Sequence, residues 1–418
     1  MEAPRLSDLL ARDARVAWHP YTQHGLEQEF LPVVGARGSL LELADGREIV
    51  DAISSWWTCL HGHGRPELVE ALRDQAARLD HVLFAGATHE PAVRLAERLL
   101  ELAPPGLARV FYSDDGSTAV EVALKIALQS AWNRGERERR VFVALEGAYH
   151  GDTFGAMSIG EREPFFGAFG DLLFAVEHAA VELGAVEAAL AKLGPRAAGV
   201  IVEPLVQGAA GMRMHSHEFL RGVRAACDVA RVPLIADEVM TGFGRTGALF
   251  ACERAGVAPD LMCLAKGLTG GMLPLAATLA TAELFEAFRS SERSKALFHG
   301  HSFTANPLGC AVASASLELV RANDVPARLE TIGLRIERRL ASALSGLAVR
   351  RVGGIVAFDL PGDASYGSRR SLALRRRALE LGVLLRPLGN VVYALPPAST
   401  DDAQCDRIAD AMAALATE

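Results

Sequence analysis

Short apolar, β-branched runs recur through the middle of the chain, each followed by a stretch with helical spacing. They fall at residues 109–113 (RVFYS), 141–145 (VFVAL), 199–202 (GVIV), 232–236 (VPLIA), 261–264 (LMCL) and 276–280 (AATLA). Continuous apolar runs mark strands buried on both faces, and their alternation with helices predicts an α/β fold with a mainly parallel sheet covered on either side. This large unit is expected over residues 61–310. Before it, residues 41–50 (LELADGREIV) read as strand and turn. After it, an amphipathic helix leads to strand-like runs at 352–360 and 391–395. The two flanks, 1–60 and 311–418, are expected to pack together as a smaller α+β unit. No fixed-period repeat and no Gly/Ser- or Pro-rich linker separates them.

Length and composition narrow the class. At 418 residues the chain has core enough without disulfides or metal. Half of it is apolar and 22% charged, which excludes a disordered or coiled-coil protein. A net charge of -8 without blocks of one sign disfavours nucleic acid or an anionic membrane as partner. The six cysteines show no C-x-x-C pair and read as reduced core thiols. The first twenty residues are charged throughout, unlike a signal peptide, and the longest uncharged runs are too short and too polar for a spanning helix. A soluble, cytoplasmic protein is expected.

Of the 43 basic residues only Lys125, Lys192, Lys266 and Lys295 are lysine; the other 39 are arginine, which cannot form a Schiff base. Lys266 closes an apolar strand and precedes glycines, a setting that desolvates an amine and frees it for nucleophilic chemistry. In 234–247 (LIADEVMTGFGRTG), Asp237 and Glu238 stand at the carboxyl end of a strand, where open α/β sheets bind ligands. The same segment holds a G-x-G-x-x-G at Gly242, Gly244 and Gly247, but its acids precede the glycines, so a dinucleotide fingerprint is a poor fit. Gly116 and Ser117 fall at a strand-to-helix turn, with Thr118 and Glu121 spaced as a capping box; this is either an ordinary N-cap or an anion site. Ser302 and Thr304 lie in a Gly- and Asn-bearing loop that could add hydroxyls. His61, His63, His299 and His301 lack the spacing of a helical zinc motif, so no metal is expected.

An anion-binding helix start, a strand-end acid, a buried lysine and a hydroxyl loop are together what pyridoxal 5'-phosphate requires. The lysine holds the aldehyde, the acid keeps the pyridine nitrogen protonated, and N–H and hydroxyl groups hold the phosphate.

The segments IADEVMTGFGRTG, LAKGLTGG and HSFTANPLGCA resemble the class III aminotransferases of the fold-type I pyridoxal phosphate enzymes, and the likeness runs over nearly the whole chain. Segments 17–23 (AWHPYTQ), 54–57 (SSWW), 147–158 (GAYHGDTFGAMS), 203–214 (EPLVQGAAGMRM) and 384–397 (LLRPLGNVVYALPP) are similar to the branch of that family serving biotin synthesis. The resemblance implies Lys266 as Schiff-base lysine and proton carrier, Asp237 on the pyridine nitrogen, Tyr149 stacked on the ring, and Gly116, Ser117 and Ser302 on the phosphate. Asp115 stands where the family more often has a small residue. For substrate it implies Tyr21, Trp56, Trp57, Asp152, Arg245, Gly300 and Arg386, with Arg386 on the acceptor's distal carboxylate. It further implies a homodimer, S-adenosylmethionine as donor, 8-amino-7-oxononanoate as acceptor, and ping-pong kinetics through pyridoxamine phosphate. The alternatives are an ω-aminotransferase acting on ornithine, 4-aminobutyrate or a β-amino acid, a nicotinamide-dependent oxidoreductase, and a binding protein on the same scaffold.

Overall fold

A computed structural model describes residues 6–26, 30–344, 346–363, 365, 366 and 368–416. At its centre lies a seven-stranded sheet in the order Leu107–Ser113, Ala276–Thr281, Leu261–Leu264, Leu234–Asp237, Ala197–Val202, Val141–Leu145 and Val176–Ala179. The last five pair in parallel. Ala276–Thr281 runs antiparallel to both its neighbours, so the predicted run at 276–280 is a strand but a reversed one. The run predicted at 232–236 starts its strand only at Leu234, after a left-handed Arg231 and Pro233.

Alternate residues of the same strands enter different cores, which is how the sequence covers both faces. Phe142, Ala144, Ile201 and Ile235 pack with the helix Gly116–Asn133, whereas Val143, Leu145, Val200 and Leu234 pack toward Leu183–Leu193 and His217–Ala230. Every residue of Leu234–Asp237 and Leu261–Leu264 is buried, matching the continuous apolar runs.

The two ends of the chain share a sheet. Val33–Arg37, Leu40–Leu43 and Glu48–Asp51 form an antiparallel ribbon, and Val383–Leu384 adds to it in parallel, with Val383 opposite Val50. A second small sheet joins Arg350–Val352, Ile355–Asp359 and Val391–Ala394. Over it, Val325–Ala343 packs on Asp402–Leu415 and is tied to it by paired bonds from Arg335 to Asp406 and from Arg339 to Asp410. Residue 310 lies inside the helix Pro307–Ala322, which packs on Pro66–Ala76 and Glu90–Leu102. Among the described residues no helix is long and apolar enough to cross a membrane, and no group of three or more His, Cys, Asp or Glu is placed to hold a metal.

This topology sets the site. Asp237 ends its strand, and Glu203, Tyr149 and Lys266 follow theirs within a few residues, all on the carboxyl edge of the parallel strands.

Candidate active site

These strand ends enclose a cavity of about 420 Å³, lined among others by Gly116, Ser117, Tyr149, Asp237 and Lys266. Asp237 is 5% exposed and is committed on both oxygens: Oδ2 meets His150 Nδ1 at 2.7 Å and Oδ1 accepts from the Val239 N–H at 3.1 Å. A buried carboxylate needs such partners. Glu238, next in sequence, points away and accepts from Thr241 Oγ1, Ala251 N and Cys252 N, so it serves as an internal cap. Of the two strand-end acids, only Asp237 reaches the cavity.

Lys266 has φ 45°, a left-handed backbone that a non-glycine residue adopts at a cost of about 1–3 kcal/mol and that tends to mark functional sites. Its Nζ lies 4.8 Å from the centre of the Trp57 ring. Desolvation pulls the amine below the usual lysine range, against the raising fields of Asp237 and Glu203. Lys266 can therefore present a neutral amine more readily than a surface lysine.

The turn after Leu107–Ser113 is capped differently from the sequence reading. Asp115 is the N-cap: its Oδ1 accepts from the Thr118 N–H at 2.9 Å, and Thr118 Oγ1 accepts from the Asp115 N–H at 3.0 Å. Thr118 is thus the third residue of the box and not its first. Glu121 turns outward to accept from Thr153 Oγ1 and the Gly155 N–H, both at 2.7 Å. The acid at 115, unexpected in the loop, closes the helix start and leaves Gly116 and Ser117 on the cavity wall. Gly151 has φ 124°, and a Cβ there would fall 2.1 Å from Ser117 Oγ, so glycine is what lets this loop reach the helix start.

A second cavity of about 450 Å³ opens outward and shares Trp57, Tyr149 and Lys266 with the first. Its walls are aromatic: Tyr21 meets Trp56 edge-on at 5.5 Å, and Phe165 meets Tyr366 edge-on at 4.7 Å. Tyr21 and Tyr149 hydroxyls both donate to Asp152 Oδ1, at 2.7 and 2.9 Å, and burial first of all pushes both phenols up. At the far end Arg386 stacks on Trp56, 4.2 Å from the ring centre, and donates to the Tyr366 hydroxyl at 3.2 Å.

Three of the expected residues stand elsewhere. Arg245 is 2% exposed and donates to Ser54 Oγ, Pro396 O and Trp57 O; it lies behind the aromatic wall and supports it. Gly300 and Ser302 are exposed and line neither cavity, although their loop approaches the first one through His301, 3.6 Å from Asp114. Two residues not singled out from the sequence do belong to the site. His150 braces Asp237 and keeps a buried Nε2 without a protein partner. Glu203 lines the inner cavity and accepts from the Tyr149 and Gly208 N–H groups, and burial pushes its carboxyl up to about 7. Glu203 follows a central strand, and the rule that found Asp237 would have found it too.

The glycines of the G-x-G-x-x-G serve packing. A Cβ on Gly242 would meet Glu238 O at 2.9 Å, and one on Gly244 would meet Pro326 N at 3.1 Å. The helix next in the chain, Ala251–Ala255, has five residues, so no phosphate-binding helix start follows them in sequence. This removes the dinucleotide alternative.

The family model for class III aminotransferases matches residues 21–415. The chain belongs to the class III aminotransferases. Among its relatives in this family is the adenosylmethionine-8-amino-7-oxononanoate aminotransferase of Synechococcus elongatus, 51% identical over 398 residues, covering 91% of this chain and 93% of that one. The crystal structure of the enzyme of the same name from Methanocaldococcus jannaschii superposes with a TM-score of 0.94 at 36% identity, covering 98% and 99% of the two chains. An amine transaminase from an uncultivated Pseudomonas species, solved in a PLP-bound form, gives a TM-score of 0.90 at 29% identity over 96% and 98%. In this aminotransferase Lys266, Asp237 and the helix start at Gly116 and Ser117 line one cavity.

Proposed function

We propose that this chain binds pyridoxal 5'-phosphate and transfers the amino group of S-adenosylmethionine to 8-amino-7-oxononanoate, giving 7,8-diaminononanoate for biotin synthesis. The observation that carries the substrate reading is the outer cavity. Its walls are mainly aromatic, and both Lys266 and Arg386 line it, each against its own indole. A keto group beside Lys266 and a carboxylate on the Arg386 fork match an acceptor with a long aliphatic chain between them.

The inner cavity fits the cofactor by the chemistry of its donors: Lys266 for the aldehyde, Asp237 for the pyridine nitrogen, and the N–H groups and hydroxyl at Gly116 and Ser117 for the phosphate. Bound there, the cofactor supplies the electron sink that makes the substrate's α-proton removable. Asp237, braced by His150, holds a proton on the pyridine nitrogen. Tyr149, which lines the same cavity, would contact the ring. Lys266 Nζ takes the α-proton from the donor and, in the second half-reaction, delivers a proton to C7 of the acceptor. Trp56, Trp57 and Tyr21 exclude water and hold the chains of both substrates. Asp152 orients the phenols of Tyr21 and Tyr149.

We assign residues 61–310 to the unit that holds the cofactor, and 1–60 with 311–418 to the unit that brings Trp56 and Arg386 to it. We further propose a homodimer, in which Gly300 and Ser302 face the cavity of the partner. The six cysteines are unpaired and buried, which supports a reducing, cytoplasmic setting. The test is product identity by mass spectrometry, with protein, cofactor and acceptor incubated with S-adenosylmethionine, lysine, ornithine or 4-aminobutyrate singly. 7,8-Diaminononanoate from S-adenosylmethionine is the expected product. 7,8-Diaminononanoate formed from another of these amines but not from S-adenosylmethionine would overturn the donor assignment and keep the chemistry.

A further inference from the structure

The four residues Ser54, Ser55, Trp56 and Trp57 all have left-handed backbones, with φ of 49°, 45°, 69° and 74°. None is glycine, and such a run persists only where its surroundings over-determine it. One buried group, the Asp51 carboxylate at 0% exposure, does much of this. Its Oδ1 accepts from the Ile53 and Ser55 N–H groups at 3.2 and 3.0 Å, and its Oδ2 from Ser55 Oγ at 2.8 Å and His63 Nε2 at 2.9 Å. The His63 backbone is in turn bridged to Gly38 in both directions, at 2.7 and 2.9 Å. Bonded first of all to Asp51 and next to Cys59, His63 is held above its usual range, at about 10, so it meets the carboxylate as a cation.

The turn presents two adjacent indoles to two different basic side chains. Trp57 packs under Lys266 Nζ at 4.8 Å, and Trp56 packs under Arg386 at 4.2 Å. Lys266 belongs to the large sheet's edge and Arg386 to the C-terminal part, so the turn is the element that touches both ends of the outer cavity.

We infer that the turn Ser54–Trp57 is a ruler for acceptor length and that Asp51 and His63 are its positioning residues. The inference rests on the functional reading above and deepens it: the spacing of neighbouring indoles sets how far the keto carbon at Lys266 stands from the carboxylate at Arg386. His63 lines neither cavity. It acts through Asp51, whose Oδ2 it holds at 2.9 Å.

The experiment compares kcat and KM of the holoenzyme for 8-amino-7-oxononanoate and for its homologues one methylene shorter and one longer. His63→Leu is expected to raise KM for the native-length acceptor at least tenfold. It should also bring the three kcat/KM values within about threefold of one another, with a clearly smaller loss in the donor half-reaction, whose substrate the same indoles also hold. His63→Gln, which keeps an N–H for Asp51, should restore most of the discrimination. Ser55→Ala, which removes one bond to the same carboxylate from within the turn, gives a milder flattening and serves if His63→Leu does not fold. Length discrimination unchanged in His63→Leu or in Ser55→Ala overturns the inference, as does an equal loss in both half-reactions. Failure of the functional reading looks different: wild-type enzyme would show no turnover with any of the three acceptors.

Discussion

The inner and outer halves of the active cavity are built on different principles. In the inner half, Asp237 and His150 are each nearly fully buried and bonded to one another, and Lys266 is seated at a strand end. Charges there are few, desolvated and fixed by the parallel sheet. In the outer half the contacts are aromatic, Tyr21 is 38% exposed, and the walls come from both ends of the chain. In the proposed function, interactions of the first kind act on the reacting bond, where low dielectric strengthens them. Those of the second kind sort substrates by shape and by a terminal charge. The difference predicts that substitutions in the inner half abolish chemistry for every substrate, and that substitutions in the outer half change which substrate is served.

The largest effect should come from Lys266→Ala. Loss of the proton carrier is expected to lower turnover by about 10⁴-fold with any amine, together with loss of the borohydride-sensitive near-visible band. Near-wild-type rates in this variant would break the comparison at its root. Asp237→Asn keeps the shape but removes the charge and turns one accepting oxygen into an N–H donor. A fall on the order of 10²-fold in both half-reactions is expected by rapid-mixing spectroscopy; a loss confined to one half would place Asp237 with the outer, substrate-sorting group. Arg386→Ala should raise the acceptor KM by about 30-fold, roughly 2 kcal/mol, with little change in the donor half-reaction. An effect on the donor alone would remove the carboxylate role.

The smallest effect sharpens the comparison through stability. Glu203 has a carboxyl raised by burial from 4.5 to about 7, so between these values the folded state binds more protons than the unfolded one. Its contribution to stability is present at low pH and lost as pH rises through about 7. Glu203→Gln should therefore gain in midpoint unfolding temperature relative to wild type on going from pH 5 to pH 8. A difference independent of pH would contradict the buried, titrating carboxyl.

The same division decides what could be read from the chain. The inner half was legible because strand ends are local signals: an apolar run followed by Asp237 or Lys266 fixes both the residue and the edge it occupies. The reversal of Ala276–Thr281 was not, since parallel and antiparallel central strands share one apolar pattern. The helix start at Gly116 was found but its cap misread. Both Asp115/Thr118 and Thr118/Glu121 have the required spacing, and only the position of the first helical turn, from Gly116, separates them. In the outer half, Trp56, Trp57 and Arg386 came from family resemblance alone, because no periodicity encodes a left-handed turn. Arg245 shows the limit of that route: its guanidinium is spent on Ser54, Trp57 and Pro396 behind the wall. Gly300 and Ser302, exposed in one copy of the chain, join a cavity only in the dimer proposed above.

The most direct test of the whole account is the donor half-reaction followed by absorbance. Protein loaded with pyridoxal 5'-phosphate is mixed with S-adenosylmethionine alone, and 8-amino-7-oxononanoate is then added. The account predicts that the near-visible band disappears with the donor and returns with the acceptor. A band that S-adenosylmethionine leaves unchanged while another amine removes it would contradict the assigned substrates, and the absence of any such band after loading would contradict the inner site itself.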